Sequence, residues 1–495
     1  MSLNFENKSR VYLFSAVNKK TLAIADSVPI EKSAIIFACP ERELSAEQRY
    51  RIRPLGAICE DMTVSEIIWK IPKSLKGVEI FLFEDESSNL HLLDDVYNAL
   101  LLYPLKNTKI FFEVSETPLG MFDELTKKCN KDFSGTLPFI MPVRIEMNFV
   151  YENFLRCSLF ANAEGDGNKQ NSNELNNNGL NRKDQKSNYP GDEKHIRALI
   201  VGMNERNFEI FRTILHLSQM PGYRLSVMVI ENKAHWDTVT NRIPGIYDFR
   251  ERKDNPIDIH YYEDVDFSTS KFEDYIDGCL KDFNYAFVNA GDDLLNLNLA
   301  MRLKAYCIRN ERLGKAKIQV NVEDNSICRH WSKEGMEGLE TVGDIGEVYN
   351  YSDIALPNLV AVMTDVGNAQ RGTKDYGTYF FCLPEYNRYS TLARILSLRY
   401  KIRVIDKYYD SDYSLTSASG LWKKYEHFRW EMFVRTLGYV KADPKLMSDD
   451  EERNAKIRRT AKVHPSLIDY DELSREEQDK DGIELTERIV KILRR

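Results

Sequence analysis

Asn289-Ala290-Gly291-Asp292-Asp293-Leu294-Leu295-Asn296-Leu297-Asn298-Leu299-Ala300 is the stretch whose reading decides the fold. It follows a short apolar run, Tyr285-Ala286-Phe287-Val288, and opens a segment whose apolar face is expected at Leu294, Leu297, Ala300 and Met301. A strand that ends in Gly291-Asp292-Asp293 and turns straight into a helix forms one wall of a ligand-facing crevice in an open parallel sheet. Two roles fit the aspartate pair. They can cap the helix at its positive end, or they can line the crevice for a ligand.

Working outward, short runs that are apolar on both faces recur on either side of this turn. Arg197–Gly202, Leu225–Ile230, Ile257–Tyr262, Tyr285–Val288 and Ile318–Val322 read as buried strands, with a helix over Asn207–Leu217. Before them, Val11–Val17, Ala34–Cys39, Val78–Phe83 and Ile110–Val114 repeat the pattern, separated by helical spacing at Thr21–Val28, Val64–Ile71 and Leu92–Leu102. The alternation predicts an α/β protein with two tandem Rossmann-like doubly wound parallel sheets. A small, mainly helical domain follows. The expected segments are 1–160 (first sheet), 161–194 (an Asn-rich linker too polar to fold), 195–365 (second sheet), 366–415 (connector) and 416–495 (helical domain). Two similar halves suggest a duplication, although no residue-level repeat is visible.

Composition bounds the function. A chain of 495 residues exceeds the roughly 250–300 at which a single core stops growing. Its net charge of -8 and pI near 5.7 argue against general nucleic-acid binding, which needs a basic face. No apolar run approaches the roughly 20 residues of a membrane span, and Met1–Arg10 lacks the apolar core of a signal peptide. Eight cysteines without a CxxC pair fit free thiols in a reducing cytoplasm. Metal ligation is not expected, since the eight histidines are scattered and Cys328 and His330 stand isolated. No nucleophile elbow, P-loop or HExxH motif occurs, so no catalytic residue is assigned.

The second sheet domain resembles the NAD-binding TrkA-N (RCK-type) domains of bacterial potassium-conductance regulators. Leu199-Ile200-Val201-Gly202, Glu231 after the second strand, Val288–Asp293 with Asn296, and Ile318-Gln319-Val320-Asn321 carry the resemblance. It implies a nucleotide crevice in which Gly202, Asn204 and Arg206 face the phosphates. Glu231 would take the ribose hydroxyls, with Gly291, Asp292 and Asp293 along the same wall. The chain departs from the family's glycine-rich turn, because Gly202-Met203-Asn204-Glu205-Arg206-Asn207 keeps only the first glycine and adds a carboxylate that would repel phosphate. NAD and other nucleotides, cyclic ones included, therefore both stand as ligands, as does a site kept only for structure. Glu231 fits equally as an ordinary solvated carboxylate. In the first domain the turn Ser15–Lys20 has no glycine, which suits the fold without the phosphate grip.

The C-terminal segment resembles the ryanodine-receptor-type (RyR) domain that accompanies TrkA-N domains in bacterial proteins. The blocks Tyr425-Glu426-His427-Phe428-Arg429-Trp430 and Lys462-Val463-His464-Pro465-Ser466-Leu467-Ile468-Asp469-Tyr470 carry it, with Lys480-Asp481 beyond. It implies a small-ligand site at Glu426, His427, Arg429, Trp430 and His464. The same residues also read as core, with Glu426 paired to Arg429. Between the domains, Gly367–Tyr379 reads as a loop, and Ser390 as the cap of a helix carrying a basic strip through Arg388, Arg394, Arg399 and Lys401. The strip fits an anionic ligand, or a solvated face. The expectation from all of this is a cytoplasmic, homo-oligomeric nucleotide sensor. Its rivals are an NAD(P)-dependent or nucleotide-processing enzyme and a soluble subunit of an ion transport system.

Overall fold

A computed structural model describes residues 3, 5–132, 137–160, 194–246, 257–312, 314–331, 336–408, 419–448, 450–482 and 485–494. The expected Asn-rich linker falls almost wholly outside them. The chain groups into two compact units, residues 1–152 with 343–392, and residues 153–342 with 393–495.

In the first unit the strands are β1 (Arg10–Phe14), β2 (Ser33–Phe37), β3 (Ile58–Cys59), β4 (Gly77–Leu82), β5 (Thr108–Glu113) and β6 (Phe139–Val143). They form one sheet in the order β3-β2-β1-β4-β5-β6, with every pairing parallel. Alternation along each strand splits its side chains between two cores. Val11, Leu13, Ile36, Val78, Ile80, Ile110 and Phe112 join Ile67, Ile68, Val96 and Leu100 from the helices Val64–Ile68 and Glu86–Leu102. On the opposite face Phe37, Phe14, Phe81 and Phe111 occupy one register row across β2, β1, β4 and β5. Their rings stack at 4.9, 5.0 and 5.2 Å between centroids. The segment after residue 343 helps to cover this row. Tyr351 stands edge-on to Tyr12 and Phe81, and its hydroxyl donates to the buried Glu79 at 2.9 Å.

In the second unit the strands are β7 (Lys194–Val201), β8 (Tyr223–Ile230), β9 (Ile257–Tyr262), β10 (Tyr285–Val288), β11 (Lys317–Asn321) and β12 (Leu339–Val342). Their order is β12-β11-β10-β7-β8-β9, again all parallel. Counted from each unit's own first strand, both sheets follow 3-2-1-4-5-6, the doubly wound dinucleotide-fold order. This confirms the expected fold class.

Several expectations need correction. Each sheet gains strands that the sequence did not reveal, namely β3, β6 and β12. Gly367–Tyr379 is not a loop. Asn358–Arg371 and Tyr376–Phe381 are helices, and a Cβ on Gly367 would lie 2.1 Å from the Tyr376 ring, so that glycine permits close packing. Arg371 then lies over the rings of Tyr376 and Tyr379. The next helix runs Glu385–Tyr408, which puts Ser390 inside it rather than at its cap. Its basic residues are not a solvated strip, since Arg388, Arg399 and Lys401 are all buried. Leu294 is also misassigned, because it is 60% exposed while Leu297, Leu299, Ala300 and Leu303 pack inward. The C-terminal helix Ser419–Thr436 belongs to the second unit, together with a parallel two-stranded ribbon of Val440–Lys441 and Val463–His464. No described helix is long and apolar enough to cross a membrane.

Candidate functional site in the second unit

The order of β8-β7-β10 places a topological switch point between β7 and β10, where ligands of such sheets enter above the carboxyl ends of the strands. The β7 turn meets the β10 turn there at very short range. Gly202 has φ +86°, and a Cβ on it would lie 2.3 Å from the Asn289 carbonyl oxygen. Only glycine meets both demands.

The glycines missing from the turn are replaced by an asparagine network. Asn204 caps the helix Glu205–Leu217, its side-chain oxygen accepting from the Asn207 amide at 3.1 Å and its Nδ2 donating to Asn289 O at 3.0 Å. Asn289 returns a bond from Nδ2 to Asn204 Oδ1 at 3.0 Å. Asn207 Nδ2 donates to the carbonyls of Val201 and Gly202. Asn296 accepts from the Ala290 and Gly291 amides and donates to the carbonyls of Gly291 and Asn321, joining the β10 turn to the end of β11. Asn207, Asn289 and Asn296 are buried and Asn204 stands exposed at the rim. Together their bonds to one another and to turn backbone fix the crevice floor, since buried polar groups are stable only when paired.

The other expected phosphate-facing residues divide. Arg206 is buried and donates to Asn321 Oδ1, so its charge is held inside the wall. Glu205, expected to repel phosphate, is paired with both terminal nitrogens of Arg242 at 2.8 Å, and the Arg242 guanidinium lies 3.6 Å from the centroid of the Phe208 ring. Asp292 caps the helix Asp293–Arg309 through the Leu295 amide at 2.9 Å. Asp293 accepts from the Glu323 and Asp324 amides, tying down the loop after β11. Both aspartates thus have structural work at the positions where they stand. Replacing Asp292 with Ala is expected to lower stability by about 0.5–2 kcal/mol, the value of a lost cap. Urea denaturation reads this, and an unchanged midpoint would count against the capping role.

The same device recurs in the first unit, which supplies the residue-level repeat that the sequence hid. Asn18 caps the helix Lys19–Ser27 and donates to Phe83 O at 2.8 Å, as Asn204 does to Asn289 O. Asp85 caps the helix Glu86–Leu102 where Asp292 caps its counterpart. Glu86 accepts from the amides of Ser115, Glu116 and Thr117, as Asp293 does from the loop after β11. Burial works against ionising Glu86, yet hydrogen bonds from Thr117, Glu116 and Ser115 bring its pKa down to about 2. Asn89 bridges Glu84 N to Glu113 O as Asn296 bridges its own two strands. What the first unit lacks is the glycine, since Ser15 follows β1 directly.

At the end of β8 the arrangement differs from a saturated one. Glu231 is buried, and its Oε1 accepts from the amides of Asn232 and Lys233 at 2.7 and 3.2 Å. Its Oε2 lies 3.7 Å from His235 Nδ1. That nitrogen and the hydroxyl of Tyr261 are both buried and have no hydrogen-bond partner. Burial pushes the Tyr261 phenol up, with Glu231 and Glu263 adding to the shift, so it stays a neutral donor. The Trp236 ring lies 4.5 Å from the Tyr261 ring. Sequence reasoning found Glu231 but missed His235, Trp236 and Tyr261, which lie four, five and thirty residues further along.

The C-terminal set is split by the structure. His427, Trp430 and His464 stand together, with ring centroids 5.6 Å apart for His427–Trp430 and 4.8 Å for Trp430–His464. His427 is held by Asp481 at 3.3 Å and by Ile468 O at 3.1 Å. Glu426 and Arg429 instead turn to each other and to Lys401 and Arg394. Arg388 is buried on the same long helix as Arg394 and Lys401 and falls in the first unit. Among the described residues no cluster of three or more His, Cys, Asp or Glu side chains could hold a metal ion.

No family model matches this chain, and no curated protein matches it. Among solved structures it is similar to the TT0316 protein from Thermus thermophilus, at 12% identity over 74% of this chain and 98% of that one, with a TM-score of 0.22. It is also similar to the PH0520 protein from Pyrococcus horikoshii, at 11% identity over 72% and 93% of the two chains, with a TM-score of 0.22.

Proposed function

We propose that the second unit binds a nucleotide or dinucleotide in the β7–β8–β10 crevice, and that the protein acts as a nucleotide-responsive regulator. The observation that carries this reading is the pair of buried, unpartnered atoms His235 Nδ1 and Tyr261 Oη, at the ends of β8 and β9 beside the buried Glu231 carboxylate. A buried donor or acceptor without a partner costs about 1–3 kcal/mol. A ribose diol supplies both a donor and an acceptor at such a place. The Gly202 turn brings backbone to within reach of an adjoining phosphate, and pairing of Glu205 with Arg242 lessens the repulsion such a phosphate would meet.

The response would travel through the helix Glu205–Leu217. Its amino end forms the phosphate turn, and Arg206 through Leu217 are all buried. His216 on it meets Phe433 of the helix Ser419–Thr436, edge to face at 5.8 Å. A ligand that shifts the first helix relative to the second biases the C-terminal module, which on the RyR-type resemblance takes a second small ligand. Such a shift requires that the ligand favour one packing over the other.

The test is a thermal-shift panel of NAD, NADP, ADP-ribose and cyclic nucleotides on the full chain, with chromatography of each ligand afterwards. At least one nucleotide is expected to raise Tm, as any ligand of the folded state must, and to be recovered intact. No shift with any of them sinks the nucleotide reading. Turnover would replace the regulator with an enzyme.

A further inference from the structure

Buried charge in the second unit gathers between two helices. Along Glu385–Tyr408, Arg394, Ser397 and Lys401 recur at intervals of three and four, which puts them on one helix face. The helix Ser419–Thr436 meets this face with Glu426 and Arg429. The Glu426 carboxylate takes Lys401 Nζ at 2.8 Å, Arg429 Nη2 and Nε at 2.9 and 3.0 Å, and Arg394 Nε at 3.4 Å. Three cations therefore converge on one carboxylate. Side-chain exposure is 3% for Lys401, 1% for Arg429 and 6% for Glu426, so water does little to offset the excess. Burial alone would raise the Glu426 pKa, yet Arg429, Lys401 and Arg394 hold it at about 2. His216, whose nearest charges include Arg429, is kept neutral by burial and adds no further cation.

The donors of this cluster are also not used up. Arg429 Nη1 and Ser397 Oγ are buried and have no hydrogen-bond partner. Buried cations in excess of their anions are costly, and so are buried donors left unpaired. Both costs fall if an anion enters. Arg394 offers the way in, being 27% exposed and held at its outer end by the carbonyls of Asp481 and Gly482.

We propose that Arg394, Ser397, Lys401 and Arg429 form a binding site for a phosphoryl dianion, with Glu426 as the internal counter-ion that holds the cations in place when the site is empty. A guanidinium edge, an ammonium and a hydroxyl are the donor types that match phosphoryl oxygens. This deepens the second-ligand part of the proposed function and rests on it only in assigning that ligand to the C-terminal module. The crevice at Glu231 takes no part.

The test uses the full chain without nucleotide. Thermal stability is measured in inorganic phosphate and in sodium chloride at matched ionic strength, with ribose 5-phosphate and ribose as further arms. Phosphate is expected to raise Tm above chloride, and ribose is not. Ser397→Ala and Arg394→Gln should each weaken the apparent phosphate affinity roughly tenfold, the worth of one hydrogen bond to a charged group. Glu426→Gln should lower Tm in chloride and recover most of the loss in phosphate, because phosphate then neutralises the cations that Glu426 served. A stronger response to ribose 5-phosphate than to phosphate, kept in Glu231→Gln and lost in Ser397→Ala, assigns a phosphate ester, and an equal one assigns free phosphate. Either supports the proposal. Equal Tm in phosphate and chloride, or an E426Q loss that phosphate leaves unchanged, overturns it. Since no arm contains a crevice nucleotide, failure here is separate from failure of the nucleotide reading.

Discussion

Gly202→Ala is expected to destabilise the protein by about 2–6 kcal/mol and to abolish nucleotide binding at the crevice. Two costs add. A non-glycine residue held at a strained positive φ costs about 1–3 kcal/mol, and the angle here is +86°. The second cost is steric. The added Cβ would lie 2.3 Å from Asn289 O, 2.6 Å from Ala290 Cα and 2.8 Å from Asn289 C, all of them backbone atoms. Backbone cannot rotate aside as a side-chain tip can, so the β7 and β10 turns must separate, at about 1–3 kcal/mol for an overpacked contact. Separation also breaks the reciprocal Asn204–Asn289 bonds that set the crevice floor. Urea denaturation reads the first effect and calorimetric titration the second. A variant within about 0.5 kcal/mol of wild type would mean that the two turns do not meet as described.

Phe81→Ala is expected to cost about 3–5 kcal/mol, the range for removing a buried phenyl ring from a packed core. Phe81 is fully buried and central to the first unit's aromatic row, with stacking partners at 5.0 Å (Phe14) and 5.2 Å (Phe111) and Tyr351 edge-on at 6.2 Å. Removing it leaves a gap that rigid neighbouring rings and strand backbone fill poorly. Phe81→Leu retains most of the volume and is expected to lose less. A loss below about 1 kcal/mol for the alanine variant would show that the row is loosely packed.

The sequence made the fold legible because fully buried parallel strands are apolar on both faces. Val78–Phe83, Leu225–Ile230 and their neighbours could be read by that sign alone. The strands it hid are short or at edges, where the sign fails. Ile58–Cys59 has two residues and is half-buried, Leu339–Val342 carries Glu340 and Thr341 on an edge, and Phe139–Val143 contains Pro142, which an edge tolerates. Gly367 misled for another reason. Its local meaning is flexibility, and its real role is contact with Tyr376, which spacing does not encode.

The candidate site was legible only in part. Asp292, Asp293 and Glu231 stand at the strand ends that the family resemblance marks. What each oxygen binds depends on distant backbone, such as the Glu323 and Asp324 amides for Asp293. The asparagine network joins Asn204 to Asn289 and Asn296 to Asn321, pairs far apart in sequence, so no local pattern could reveal it. His235 and Tyr261 were missed because a lone histidine and a strand tyrosine carry no signal until their unpartnered atoms are seen beside Glu231.

Calorimetric titration of wild type and Glu231→Gln with the nucleotide that raises Tm most tests the central claim directly. The proposed site predicts one nucleotide per chain on wild type. Removing the charge from Glu231 should weaken that binding at least about tenfold, the worth of a hydrogen bond to a charged acceptor. Equal affinity for both proteins would place the nucleotide elsewhere and contradict the assignment of this crevice.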